Sequence, residues 1–231
     1  MGATLLPPVV IATLQSAIIN ATSVMIAQAI TAHNKGTPLT IDWIPVFQFF
    51  LFGCVCTPPN FAWQDFLEST WPACADSDPP RPAAAIENGI KQNEKKEKKK
   101  QPKLSVKNTL IKTLLDQTLG ATLNTLLFSV FMHGIRAAMA HHYLGSSSSG
   151  FSTLWNAKGG TAMMRYDAVD WAVVWGKARA EFWQILTAGW RFWPFVSLVN
   201  FVFLTSVESR NLLGSLAGLG WGVYVSLFAG K

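Results

Sequence analysis

Charge is scarce in this sequence. Only 14% of its 231 residues are Asp, Glu, Lys or Arg, where a soluble domain carries about a quarter, so a wetted surface around most of the chain is excluded. The charge present is also unevenly placed, with nine of the 19 Lys and Arg between Arg81 and Lys107. The formal net charge of +6 is therefore a feature of one loop. With no aromatic interleaving and no folded basic face beside that loop, nucleic acid is not an expected partner. Cysteine is sparse too: Cys54, Cys56 and Cys74 are an odd number without metal-ligand spacing. The first two lie in an apolar run, where cysteine acts as a small hydrophobe, so neither a disulfide framework nor a zinc site is expected. Catalytic signatures are missing as well. There is no Gly-x-Ser-x-Gly, Walker or His-Glu-x-x-His element, and His33, His133, His141 and His142 do not converge with carboxylates at ligand spacing. The expectation is a protein that is not an enzyme and carries no cofactor and no metal.

Long apolar runs are what the chain does have. Half of the residues are hydrophobic, including 10 Trp and 15 Phe. A hydrocarbon core ~30 Å thick is crossed by about 20 apolar helical residues. Val9 to Ile30 is uncharged, follows Pro7 and Pro8, and stops at His33-Asn34-Lys35-Gly36-Thr37-Pro38, a turn signal. A second run goes from Ile44 to about Leu67 with Pro58 and Pro59 inside it, and Asp65 and Glu68 are expected to mark its exit to water. A third spans Leu110 to Ala140. From Tyr166 to Ala188 the pattern turns amphipathic, mixing Trp171, Trp175, Phe182 and Ile185 with Lys177, Arg179 and Glu181; a helix lying at the interface and leading into the bilayer is expected. Trp190 to Ser206 and Leu212 to Ala229 follow, separated by Arg210 and Asn211.

The reading is an all-α integral membrane bundle with four transmembrane helices, room for a fifth, and one interfacial amphipathic helix. Residues 1–68 hold the first two spans, 69–106 a Lys-rich disordered loop, and 107–231 the remaining spans. Lys95-Lys96-Glu97-Lys98-Lys99-Lys100 cannot bury apolar area. The positive-inside rule puts that loop and the N-terminus in the cytosol. The first basic residue is Lys35, so targeting is expected to use internal signals.

The later runs carry a specific pattern. Trp190-x-x-Trp193-Pro194 continues to Asn200-Phe201 and Arg210, then to Trp221-x-x-Tyr224-x-Ser226. This resembles the signature of the Mpv-seventeen / 22-kDa peroxisomal membrane protein family. Lys112-x-x-x-Asp116-Gln117 is similar to that family's Lys-x-x-x-Asp-Gln element, and Pro58, Trp63 and Leu67 match its Gly-Pro-x-x-His-x-Trp-Tyr-x-x-Leu element. Departures mark a divergent member, expected to be fungal. Thr57, Phe61 and Gln64 stand for Gly, His and Tyr, Gly120 stands where proline is frequent, and Thr205 and Val24 replace a proline and an Asp. The resemblance implies a channel or pore-like role for small solutes or ions, supporting organelle homeostasis in a peroxisomal or mitochondrial inner membrane. The peroxisome is favoured by the basic loop beside a span.

Polar groups inside the spans need an account, because lipid offers them no partners. Asn20, Gln28, Gln117, Asn124 and Asn200 all fall there, with Gln117 and Asn124 seven apart on one helix face. They are either interhelical glue or the lining of a pore. The pore reading takes Asn20, Gln117, Asn124 and Asn200, with Asp116 and Arg191 setting charge at the mouth. Lys112 and Asp116 are four apart and can pair, and an interhelical pair of Asp116 with Arg191 or Arg210 is expected. Gly214, Gly218 and Gly222 form overlapping small-xxx-small motifs for close helix packing. The alternative to a pore is a scaffold that packs with a partner or a second copy through those glycines. The bilayer itself is the one partner required by every reading.

Overall fold

The computed structural model describes residues 6–73, 104–140, 164–204 and 206–228, with side chains as far as 223. The Lys-rich stretch, Cys74, His141-His142, the Ser146–Ser149 tract and the Tyr224 side chain lie outside the described residues. Every element is helical: α1 (Pro8–Lys35), α2 (Trp43–Thr70), α3 (Val106–Leu115), a π segment (Asp116–Gly120), α4 (Ala121–Ala138), a 3-10 turn (Tyr166–Ala168), α5 (Trp171–Gly189), α6 (Trp193–Phe203) and α7 (Val207–Phe228).

Local chemistry sets the ends. Pro8 occupies the first turn of α1, where its missing N–H costs nothing. Gly36 closes α1 with φ +63°, so that its own N–H and that of Thr37 return to His33 and Ala32. Asp42 caps α2 by accepting from the Ile44 N–H at 3.0 Å. Gln28 then staples the hairpin, donating to the Asp42 carbonyl at 2.9 Å and accepting its N–H at 2.7 Å. This accounts for one of the polar residues in the first span as glue. Pro58 and Pro59 do not end α2, which runs through both.

Three helices, Pro8–Lys35, Trp43–Thr70 and Val106–Ala138, are long and apolar enough to cross a membrane. Only 22–28% of each apolar window is buried, so most of that surface faces outward, where a bilayer replaces water at no cost. α5 and α6 meet at 56° across Trp190–Phe192 and together pass as a fourth, broken span. The 22 residues of α7 rise about 33 Å at ~1.5 Å each, enough for the same core. α5 buries Val174, Ala178 and Leu186 while Lys177, Arg179 and Glu181 stay exposed. One boundary differs from expectation. Arg210 and Asn211 do not separate two runs; both lie in the first turns of α7 and are buried, at 1% and 4% exposure.

α1 is flanked by α2 and α7, and α4 packs on α5. A close crossing lies at Gly53 of α2, where a Cβ would be 2.6 Å from the Ala17 Cα of α1. α7 meets α1 through Ser16 and Ser215, whose hydroxyls are 2.7 Å apart, and meets α2 through Asn60 and Asn211 at 3.1 Å.

Candidate functional site

The π segment begins at Asp116. The Ala121 N–H reaches back five residues to the Asp116 carbonyl, a one-residue widening that is frequent at functional sites. The Asp116 carboxylate takes four hydrogen bonds from three elements. Oδ1 accepts from Trp63 Nε1 at 3.3 Å and Gln64 Nε2 at 3.0 Å, both on α2. Oδ2 accepts from Ser197 Oγ of α6 at 2.8 Å and from neighbouring Gln117 Nε2 at 3.3 Å. Gly120 makes room for this, because a Cβ there would sit 2.9 Å from Trp63 Nε1 and 3.2 Å from Asp116 Oδ1.

One turn further along α2 and one turn earlier on α3, a second carboxylate meets the cations. Glu68 Oε2 lies 2.7 Å from Lys112 Nζ and 2.6 Å from Arg210 Nη1. Glu68 Oε1 accepts the Ala73 N–H at 2.8 Å. Phe201, 1% exposed, faces both cations, 4.9 Å from Lys112 Nζ and 5.3 Å from Arg210 Cζ. Arg210 Nε also donates to the Leu204 and Asn200 carbonyls at 3.0 and 3.3 Å, satisfying the C-terminus of α6. Two carboxylates and two cations sum to zero charge, which is what permits burial of ions at this depth.

Beside these clusters runs a cavity of about 1070 Å³, walled by α1, α2, α4, α5, α6, α7 and the π segment. It reaches the exposed residues Lys35, Thr37 and Thr40 at the α1–α2 turn and extends to Gln64, Asp116 and Arg210. From Pro45 to Gln64 along α2 that is about 28 Å at ~1.5 Å per residue, close to the thickness of a hydrocarbon core. Five of the six residues read as pore lining, Asn20, Gln117, Asn124, Asn200 and Asp116, border this one cavity. Arg191 does not; it is exposed at the bend between α5 and α6. Asn124 accepts from the Cys56 thiol at 3.3 Å, and the Gln117 carbonyl holds Trp190 Nε1 at 3.0 Å.

The expected pairing of Asp116 with Arg191 or Arg210 is corrected by this geometry. Neutral donors surround Asp116, and Arg210 goes to Glu68 instead. Lys112 likewise reaches Glu68, the residue read as an exit to water. Sequence reasoning missed Glu68, Gln64 and Ser197. A signal existed: Gln64 and Glu68 are four apart on one helix and match the spacing of Lys112 and Asp116 on another. The glycines also differ from expectation. Gly214, Gly218 and Gly222 border the cavity; a Cβ added at Gly214 would have nothing within 4 Å, and one added at Gly218 or Gly222 would lie 4.0 Å from Trp193 or 3.8 Å from Ser23, ordinary or looser contact. Close backbone approach occurs at Gly53.

The remaining motif residues support the same region. Trp221 stacks on Phe192 with centroids 5.8 Å apart, and Phe192 meets Trp193 edge-on at 5.5 Å. Pro194 opens α6, while Pro58 is exposed on α2. His133 meets Glu181 at 3.0 Å across α4 and α5. No group of three His, Cys, Asp or Glu that could hold a metal occurs among the described residues.

Residues 166–226 match the model of the Mpv17 / PMP22 family. The chain is 41% identical over 51 residues to PXMP2/4 family protein 3 of Dictyostelium discoideum, covering 22% of this chain and 27% of that protein. It is 33% identical over 55 residues to Protein sym-1 of Neurospora crassa, covering 24% and 31%. The matches thus span about a third or less of the length of these relatives. No solved structure matches the chain. The Trp190-to-Trp221 signature lies inside the matched segment, so over residues 166–226 the chain is similar to the Mpv17 / PMP22 family, and it carries apolar helices long enough to span a bilayer.

Proposed function

We propose that this protein is a channel or pore-like protein that passes small solutes or ions across an organelle membrane and so supports the organelle's internal composition. The observation that carries the reading is the cavity, which follows α2 for about the depth of a bilayer core and is bordered by amides and hydroxyls from several helices. Amides used only as glue would be consumed in pairs across helix contacts. Here Asn20, Gln117, Asn124 and Asn200 border a common space. The scaffold alternative loses support because Gly214, Gly218 and Gly222 border the same space.

Purified protein in planar bilayers tests this. Conductance that changes in Asn124→Leu supports the pore, since Asn124 borders the cavity and its side-chain carbonyl oxygen accepts from the Cys56 thiol. A silent bilayer with correctly folded protein rejects the pore and returns the scaffold reading. We place the protein in the peroxisomal membrane ahead of the mitochondrial inner membrane, on the basic loop beside a span. Tagged protein that moves off peroxisomes when the lysines among residues 95–100 become glutamine is the expected result; an unchanged mitochondrial pattern would reverse the assignment.

A further inference from the structure

The inner end of the cavity holds hydrogen-bond acceptors that the protein itself does not use. Asp116 only accepts when ionised, and it draws Gln64 Nε2 to 3.0 Å and Gln117 Nε2 to 3.3 Å. This fixes the orientation of both amides and turns each carbonyl oxygen away from the carboxylate. Gln64 Oε1 and Gln117 Oε1 are buried without a hydrogen-bond partner, as are Asn200 Oδ1 and the donor Arg210 Nη2, a combination that a hydroxyl, both donor and acceptor, can meet. Gln64 is 6% and Asn200 8% exposed, and all three residues border the cavity. Buried acceptors left without donors are costly, so their concentration at one place points to a ligand that brings donors.

The surroundings decide its charge. Glu68 and Asp116 are balanced by Lys112 and Arg210, and Arg210 itself borders this end of the cavity. A bare cation or an ammonium group gains no net field there and meets a guanidinium. Hydroxyl groups donate without charge. Trp190 and Trp193 border the same space and offer apolar faces for C–H groups. We propose that the inner end of the cavity binds small neutral polyhydroxylated solutes, with Gln64, Gln117 and Asn200 accepting from their hydroxyls. Passage of such solutes rests on the pore reading; binding does not.

The full chain in nanodiscs is titrated with erythritol, potassium chloride and 1-butanol while tryptophan fluorescence is followed. A saturable change with erythritol alone is expected, weakened about fivefold or more in Gln64→Leu or Gln117→Leu. Where a variant loses its helical circular dichroism, the wild-type ranking decides. A saturable response to potassium, an equal response to butanol, or none to erythritol overturns the site. Erythritol flux into liposomes without saturable binding removes this inference and leaves the pore. Saturable binding in liposomes that stay impermeable keeps the site and removes the pore.

Discussion

Lys112 and Arg210 are both fully shielded from solvent, and Glu68 is the carboxylate the two share. Removing that charge leaves two like charges buried side by side. Breaking a buried pair on one side costs about 3–5 kcal/mol because the survivor stays uncompensated, so Glu68→Gln is expected to destabilise by at least that range. Reversible unfolding in mixed micelles measures it, and a loss below about 1 kcal/mol would mean that the cluster is hydrated. Asp65, exposed three residues earlier, is the control: Asp65→Asn is expected to leave stability within about 0.5 kcal/mol of the parent. At this scale the sequence was partly readable. The cost of an ion in lipid singled out Lys112, Asp116 and Arg210, but the choice of partner depended on the register of α2 against α3, which side-chain identity does not encode.

Helix packing is governed by single atoms where backbones cross. At Gly53 an added Cβ would meet Ala17 Cα at 2.6 Å and Ala17 N at 2.9 Å, and backbone cannot move aside as a flexible side chain can. Gly53→Ala is expected to push α1 from α2 and cost about 1–3 kcal/mol, lowering the unfolding midpoint by circular dichroism. Gly214→Ala, with open space around it, is expected to leave the midpoint unchanged or to raise it, since alanine favours the helix. Equal effects at the two sites would show that the crossing is looser than its geometry implies. The small-xxx-small spacing in α7 was visible in sequence, whereas Gly53 stood alone among Phe, Leu and Cys and gave no such signal. The π segment was equally hidden. It depends on Asp116 being held by Trp63, Gln64 and Ser197 from other helices, not on local propensity.

For the whole molecule, α1 and α2 form a hairpin, so the N-terminus and residues 69–106 share one side if both helices span. By the positive-inside rule the Lys-rich loop is expected on the cytosolic side, which would turn the cavity opening at Lys35, Thr37 and Thr40 toward the organelle interior. With the native cysteines replaced, Lys98→Cys in intact organelles is expected to react with a membrane-impermeant maleimide, and Lys35→Cys only after permeabilisation. The reverse pattern would invert the topology and move the cavity mouth to the cytosol.

Sequence by itself determined the all-helical membrane class, the turn at Gly36, the length of the spans and the likeness of residues 166–226 to the Mpv17 / PMP22 family, because each depends on local composition, spacing or a linear signature. It also gathered five of six candidate lining residues, since polar side chains in apolar runs must face one another and not lipid. Tertiary structure alone decided that Glu68 and not Asp116 binds the cations, that Arg210 is buried in a helix and not a separator, and that Gly53 is the crossing point. Those outcomes are set by the rotation and register of one helix against the next, which arise only when all the helices bury their polar faces together.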